Sequence, residues 1–152
     1  MDYKKFHIPG DAGERISFMG MDLVWKLTKN ISPNLMTFVQ IAPPGAGVPM
    51  HIHHYEDESI YLLEGELIFK VGTETFAVKK GGTVLMPKGV PHGFRITGED
   101  TAHVLFTLNL APQSNYEEMF KGLIGLAPTD FDKIKEVCGR NNVEFLTPPQ
   151  MP

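Results

Sequence analysis

From Ile16 to Leu110 the chain is a succession of short β-favouring runs, each closed within a few residues by a turn signal. The runs are Ile16–Met19, Met21–Thr28, Leu35–Ala42, Met50–His54, Ser59–Leu63, Glu66–Val71, Glu74–Val78, Thr83–Met86, Gly93–Thr97 and Ala102–Leu110. Between them stand Gly20, Asn30 to Pro33, Pro43-Pro44-Gly45, Glu64-Gly65, Gly72-Thr73, Gly81-Gly82, Pro87-Lys88-Gly89 and Gly98. Glycine supplies positive φ in such turns and proline fixes φ near −65°, so each stop has a conformational cause. Ten short strands with no helix between them predict an antiparallel all-β barrel or sandwich.

After Leu110 the period changes. Tyr116, Met119, Phe120, Leu123 and Ile124 recur at helical spacing behind Ser114-x-x-Glu117. Phe131, Ile134, Val137 and Cys138 do the same behind Thr129-x-x-Asp132. Both starts read as capping boxes. Gly139 and Asn141-Asn142 end the second helix, Val143–Leu146 is extended, and Pro148, Pro149 and Pro152 argue against a regularly packed tail. The two helices are expected to cap one face or end of the β core.

The 152 residues suit one domain with one core. It divides into an N-terminal arm (1–14), a β-barrel (15–112) and C-terminal helices with a tail (113–152). Fourteen Lys and Arg against eighteen Asp and Glu leave no excess of positive charge, which argues against nucleic-acid or anionic-membrane partners. No apolar run approaches the ~20 residues that span a bilayer. The first ten residues lack the apolar stretch of a signal peptide. A single cysteine, Cys138, fits a reducing compartment, so a cytoplasmic location is expected.

The chemistry concentrates in two segments. The first reads Gly45, five residues, His51, Ile52, His53, four residues, Glu58, six residues, Gly65. The second reads Gly81, five residues, Pro87, Lys88, Gly89, two residues, His92. His51 and His53 are two apart on a strand, so both imidazoles share a face. Glu58 has the wrong parity for the same straight strand, and a turn or bulge at His54–Asp57 must re-aim the chain. Three imidazoles and one carboxylate on a concave face suit a first-row transition ion. A closed structural zinc site would favour cysteine ligands, whereas this set leaves positions open, as a catalytic ion needs. Phe94 and Ile96 share parity with His92 and are expected near the ion. Phe38, Gln40, Phe106 and Leu108 are candidates for the pocket wall.

These segments resemble the two signature motifs of the cupin family. The first motif is matched at every fixed position. The second is matched through His92, with Ile96 where the family carries an asparagine that is not a ligand. The resemblance implies a jelly-roll-like cupin barrel with a C-terminal helical extension. It implies one divalent ion (iron, manganese, nickel, cobalt, copper or zinc) held by His51, His53, Glu58 and His92, and a homodimer. Length, ligand set and trailing helices are similar to the bacterial quercetin 2,3-dioxygenase-like group. That likeness implies a dioxygenase of a hydroxylated aromatic or flavonol-like small molecule, with Glu58 as both ligand and general base and dioxygen as co-substrate. Two other readings stay open. One is a metal-dependent isomerase or lyase of a carbonyl compound, for which few cations stand near the pocket. The other is a non-catalytic small-molecule binder.

Other polar residues have plainer readings. His54 points away from the ligand face, and His7 and His103 have no motif around them. Glu56 and Asp57 are turn residues, either able to accept from an imidazole N–H. Tyr61 has the opposite parity to Glu58. Trp25 is a core or interface residue. The glycines are conformational, since no strand-then-helix context surrounds them. Glu117 and Glu118 suit a helix N-terminus.

Overall fold

The computed structural model describes residues 6–152. Residues 1–5 of the expected arm lie outside the described residues. Eleven strands and two helices follow in order: β1 (Arg15–Phe18), β2 (Met21–Leu27), β3 (Leu35–Ala42), β4 (Gly47–His53), β5 (Glu58–Glu64), β6 (Glu66–Val71), β7 (Glu74–Lys79), β8 (Thr83–Met86), β9 (His92–Ile96), β10 (Ala102–Asn109), α1 (Tyr116–Leu123), α2 (Phe131–Gly139) and β11 (Val143–Phe145).

The strands build two antiparallel sheets. One runs β1-β2-β3-β10-β5-β8 and the other β11-β4-β9-β6-β7. From β4 to β10 the chain repeatedly switches sheets, which is the jelly-roll path. The expected barrel needs a correction, because no hydrogen-bonded ladder between described strands joins the two sheets into a ring. The Gly81-Gly82 turn carries the chain from β7 to β8 on the opposite sheet, so those two strands become edges instead of a seam.

Strict alternation drives the layering. In β3 the even positions Met36, Phe38, Gln40 and Ala42 are buried, and in β10 Ala102, Val104, Phe106 and Leu108 are buried. Cross-strand register sets Phe106 opposite Phe38. Their rings stack at 5.0 Å and 12°, a contact worth about 0.5–1.5 kcal/mol beyond area burial. Leu67, Phe69 and Phe94 answer from the facing sheet and complete one hydrophobic cluster.

Two glycines bring the site segments close. Gly89 takes φ +78 in the turn before β9 and donates its N–H to the His53 carbonyl at 2.8 Å. At Gly93 a Cβ would lie 2.8 Å from the Val48 carbonyl oxygen, so only glycine lets β9 approach β4 this tightly.

The helices depart from the expected caps. Neither has a side-chain N-cap hydrogen bond. Ser114 Oγ instead accepts from the Ala111 N–H and donates to Glu56. Asp130 accepts from the Ala127 N–H one turn earlier. Both groups satisfy nearer partners than the helix backbone. Helix α1 buries Tyr116, Met119 and Leu123, and α2 buries Ile134 and Cys138. The tail is also more ordered than its prolines suggest. β11 pairs with the outer edge of β4, and beyond it the Met50 N–H donates to the Gln150 carbonyl and Arg95 Nε to the Pro152 carbonyl. Proline lacks a donor, but its carbonyl still accepts, which is the role used here.

Candidate metal centre

His51 and His53 project from β4 and His92 from β9, all on the inner face of one sheet. Register sets His51 directly opposite His92, with ring centroids 4.4 Å apart. The chain then bends through residues 54–57 and enters the other sheet at Glu58, the first residue of β5. The parity break expected at His54–Asp57 is therefore a change of sheet. The carboxylate faces the imidazoles across the interior, and one ligand atom from each of the four residues lies within 4.8 Å of the others.

The polar contacts fix which atoms face the centre. His51 Nδ1 donates to the Pro49 carbonyl at 2.8 Å, and His92 Nδ1 donates to the Val90 carbonyl at 3.0 Å. Tyr116 donates its hydroxyl hydrogen to Glu56 Oε2 at 2.8 Å, so its oxygen accepts from His53 Nδ1 at 2.7 Å. With each Nδ1 engaged as a donor, a neutral ring keeps an Nε2 lone pair free. Burial pushes the His53 imidazole well below its usual value and His51 down to about 3, with the neighbouring histidines adding to both shifts, so both rings are neutral.

Two of the Nε2 atoms converge on one carboxylate oxygen. His92 Nε2 lies 3.2 Å from Glu58 Oε2, and His53 Nε2 lies 3.7 Å from the same oxygen. Either a hydrogen carried on His92 Nε2 or a cation shared by the rings and the carboxylate satisfies this oxygen. Among the described residues lining the adjoining cavity, none is Lys or Arg. The set fits a divalent transition ion, and the cluster could hold one.

The cavity measures about 60 Å³. Phe38, Gln40, Phe94, Phe106 and Leu108 line it, as do the four candidate ligands. Ile96 does not. It is buried opposite Leu67, four residues beyond His92 and so ~13 Å farther along the strand. Parity alone put it on the right face but too deep.

Three features escaped the sequence reading. Tyr116, Met119, Phe120 and Leu123 of α1 and Cys138 of α2 form the cavity's roof. Their helical spacing was visible, but not what that stripe would cover. Glu56, read as a turn residue, is 1% exposed and grips Ser114 and Tyr116. Tyr116 itself is held protonated, because burial first and the Glu56 and Glu58 carboxylates next raise its pKa well above the ordinary value. By contrast His54 pairs with Glu144 at the surface and Tyr61 is exposed.

Comparison with known proteins agrees with this geometry. The model of the cupin domain matches residues 38–108. The protein SchB of Streptomyces halstedii is 33% identical over 113 residues, covering 74% of this chain and 69% of SchB. The polyketide synthase CurC of Streptomyces cyaneus is 34% identical over 74 residues, 48% of each chain, so the match spans about half of that relative's length. A quercetin 2,3-dioxygenase of Bacillus subtilis is 30% identical over 64 residues, 42% of this chain but 19% of that enzyme. Among solved structures, a predicted oxalate decarboxylase from Thermotoga maritima superposes with a TM-score of 0.59 at 27% identity, covering 64% of this chain and 91% of that one. Jelly-roll topology, matched domain and a relative aligned over most of its length converge on one statement: the chain belongs to the cupin family.

Proposed function

We propose that this protein is a metal-dependent dioxygenase of a small hydroxylated aromatic compound. The observation that carries the reading is a buried carboxylate converging with three imidazoles at one end of a phenylalanine-walled cavity. A divalent ion held there would supply Lewis acidity to a substrate hydroxyl and lower its pKa. Glu58 takes the hydroxyl proton as the substrate docks. Phe38, Phe94 and Phe106 hold the ring and exclude water, and Gln40, whose amide donates to the Met21 sulfur at 3.2 Å, is among the described residues the one uncharged polar side chain on the cavity wall besides Tyr116 and the candidate ligands. A cavity of about 60 Å³ has room for roughly five water-sized groups. A single ring therefore fits with α1 in place, and a three-ring flavonol requires that helix to move.

A second reading is redox-neutral cyclisation or isomerisation of an enolisable carbonyl compound at the same centre. It is favoured by the relative named as a polyketide synthase. The two separate on one experiment. The protein is reconstituted with each first-row divalent ion in turn and supplied with catechols, flavonols and linear polyketide analogues. Oxygen uptake coupled to substrate loss supports the dioxygenase. Turnover that proceeds equally under nitrogen overturns it in favour of the second reading, and no turnover of any substrate leaves a binding protein.

A homodimer is proposed with this function. On the outward face of the six-stranded sheet, Val24, Val39, Leu105 and Tyr61 form a row across four strands by direct register. Outward faces are usually polar, so this row suits a second copy. Light scattering at micromolar concentration is expected to give twice the 16.9 kDa chain mass, and a value near 16.9 kDa overturns the dimer.

A further inference from the structure

Two of the three candidate histidines are held by their own local stretch of chain. His51 and His92 each donate Nδ1–H to the carbonyl of the residue two positions earlier, Pro49 and Val90. His53 is held differently. Its Nδ1 donates to a hydroxyl that is 63 residues away in the chain, on the first residue of α1. That hydroxyl donates in turn to Glu56, whose other carboxylate oxygen accepts from Ser114 Oγ. Both oxygens of a buried carboxylate are thus occupied by the segment leading into α1.

The same segment is anchored from outside the site. Lys29 Nζ donates to the Pro112 and Ser114 carbonyls at 2.9 and 2.7 Å, and the Lys29 N–H donates to the Glu117 carboxylate. Glu56 also sits on the bend between His53 and Glu58, so one carboxylate ties the bend that sets both ligands to the helix. Beyond Tyr116, the same helix places Met119, Phe120 and Leu123 over the cavity.

We infer that Tyr116, backed by Glu56, is a positioning residue for His53, and that seating of α1 over the cavity and binding of the ion are thereby one coupled event. The inference rests on the metal-centre reading above. The physical basis is that a hydrogen-bond acceptor behind a ligating imidazole fixes the ring's rotation and tautomer. Coupling is reciprocal, so an ion that prefers the oriented ring must also favour the docked helix.

Cobalt(II) alone is the probe, because its visible absorption reports coordination geometry. Wild type, Tyr116→Phe, Glu56→Gln and the exposed control Tyr55→Phe are each titrated with Co²⁺. Hydrogen exchange of residues 116–123 is followed with and without the ion. Wild type and the control are expected to bind Co²⁺ with the same bands and to show slower exchange in α1 once loaded. Tyr116→Phe is expected to bind about 10–100-fold more weakly, with shifted bands and no ion-dependent protection of α1. Glu56→Gln moves the same way, and it decides the matter if the tyrosine variant fails to fold. Wild-type affinity and bands in both folded variants overturn the positioning role while leaving the metal centre intact. Failure of wild type itself to bind Co²⁺ overturns both.

Discussion

The floor and the roof of the cavity are built on opposite principles. The floor is strand-borne: three imidazoles from two adjacent strands, two of them pinned by backbone carbonyls two residues earlier in the chain, and a carboxylate from the facing sheet. The roof is helix-borne, and its side chains are soft and apolar apart from one hydroxyl. Sheet positions are fixed by ladders on both sides, so they hold ligand atoms to within the tolerance an ion demands. The helices have no such ladders: they are held by side-chain packing and by the hydrogen bonds that Lys29, Glu56 and His53 make to the start of α1. The difference separates the strands that carry the candidate ligands from the helices that close over them.

If floor and roof are separable, mutations should sort cleanly between them. Leu123→Ala in the roof is expected to cost about 3–5 kcal/mol of unfolding free energy, as for a buried leucine. Co²⁺ affinity should fall far less than in a ligand variant, and chemical denaturation with a parallel titration checks both halves. Glu58→Ala in the floor should do the reverse. Metal affinity falls by about 100-fold or more, while circular dichroism shows the fold retained, because the core does not rely on the ion for its burial. Unfolding of that variant would make the ion structural and erase the distinction.

Chelation is the gentler version of the same test. An ion present at about 100 times its dissociation constant adds ~2.7 kcal/mol of stability. Its removal should therefore lower the melting temperature without abolishing the cooperative transition.

The smallest effect concerns Cys138 in the roof. Burial pushes its thiol up to about 12 from an ordinary value of 9.0. The folded protein keeps a proton that the unfolded chain loses, so this stabilisation is complete below pH 9 and fades as pH rises toward 12. Iodoacetamide at pH 8 should leave the native thiol unmodified and label it on denaturation. Rapid native labelling would mean that the roof opens readily.

The same contrast explains what the sequence disclosed. Ligand types and parity were legible, because period two on a strand is rigid: His51 and His53 had to share a face, and Glu58 had to be re-aimed. Which sheet Glu58 would enter was not legible, since residues 54–57 fit a bulge within one sheet as well as a crossing to another. The helical stripe of Tyr116, Met119, Phe120 and Leu123 was plain, but an amphipathic face does not name its partner. Ser114 misled because a hydroxyl at a helix start takes whichever donor or acceptor folding brings nearest, and here the distant Glu56 carboxylate and the preceding Ala111 N–H took it. Ile96 misled because parity specifies side and not depth.

Glu58 stands alone on its side of the interior, and that has a mechanical corollary. The bite of the four donors is a direct readout of how far apart the two layers rest. Aromatic pairs that span the interior, such as Phe94 against Phe106 with centroids 5.9 Å apart, help to hold that separation. Trimming or thickening them would retune which ion radius sits comfortably, so selection for a metal and selection for interior packing fall on the same few rings.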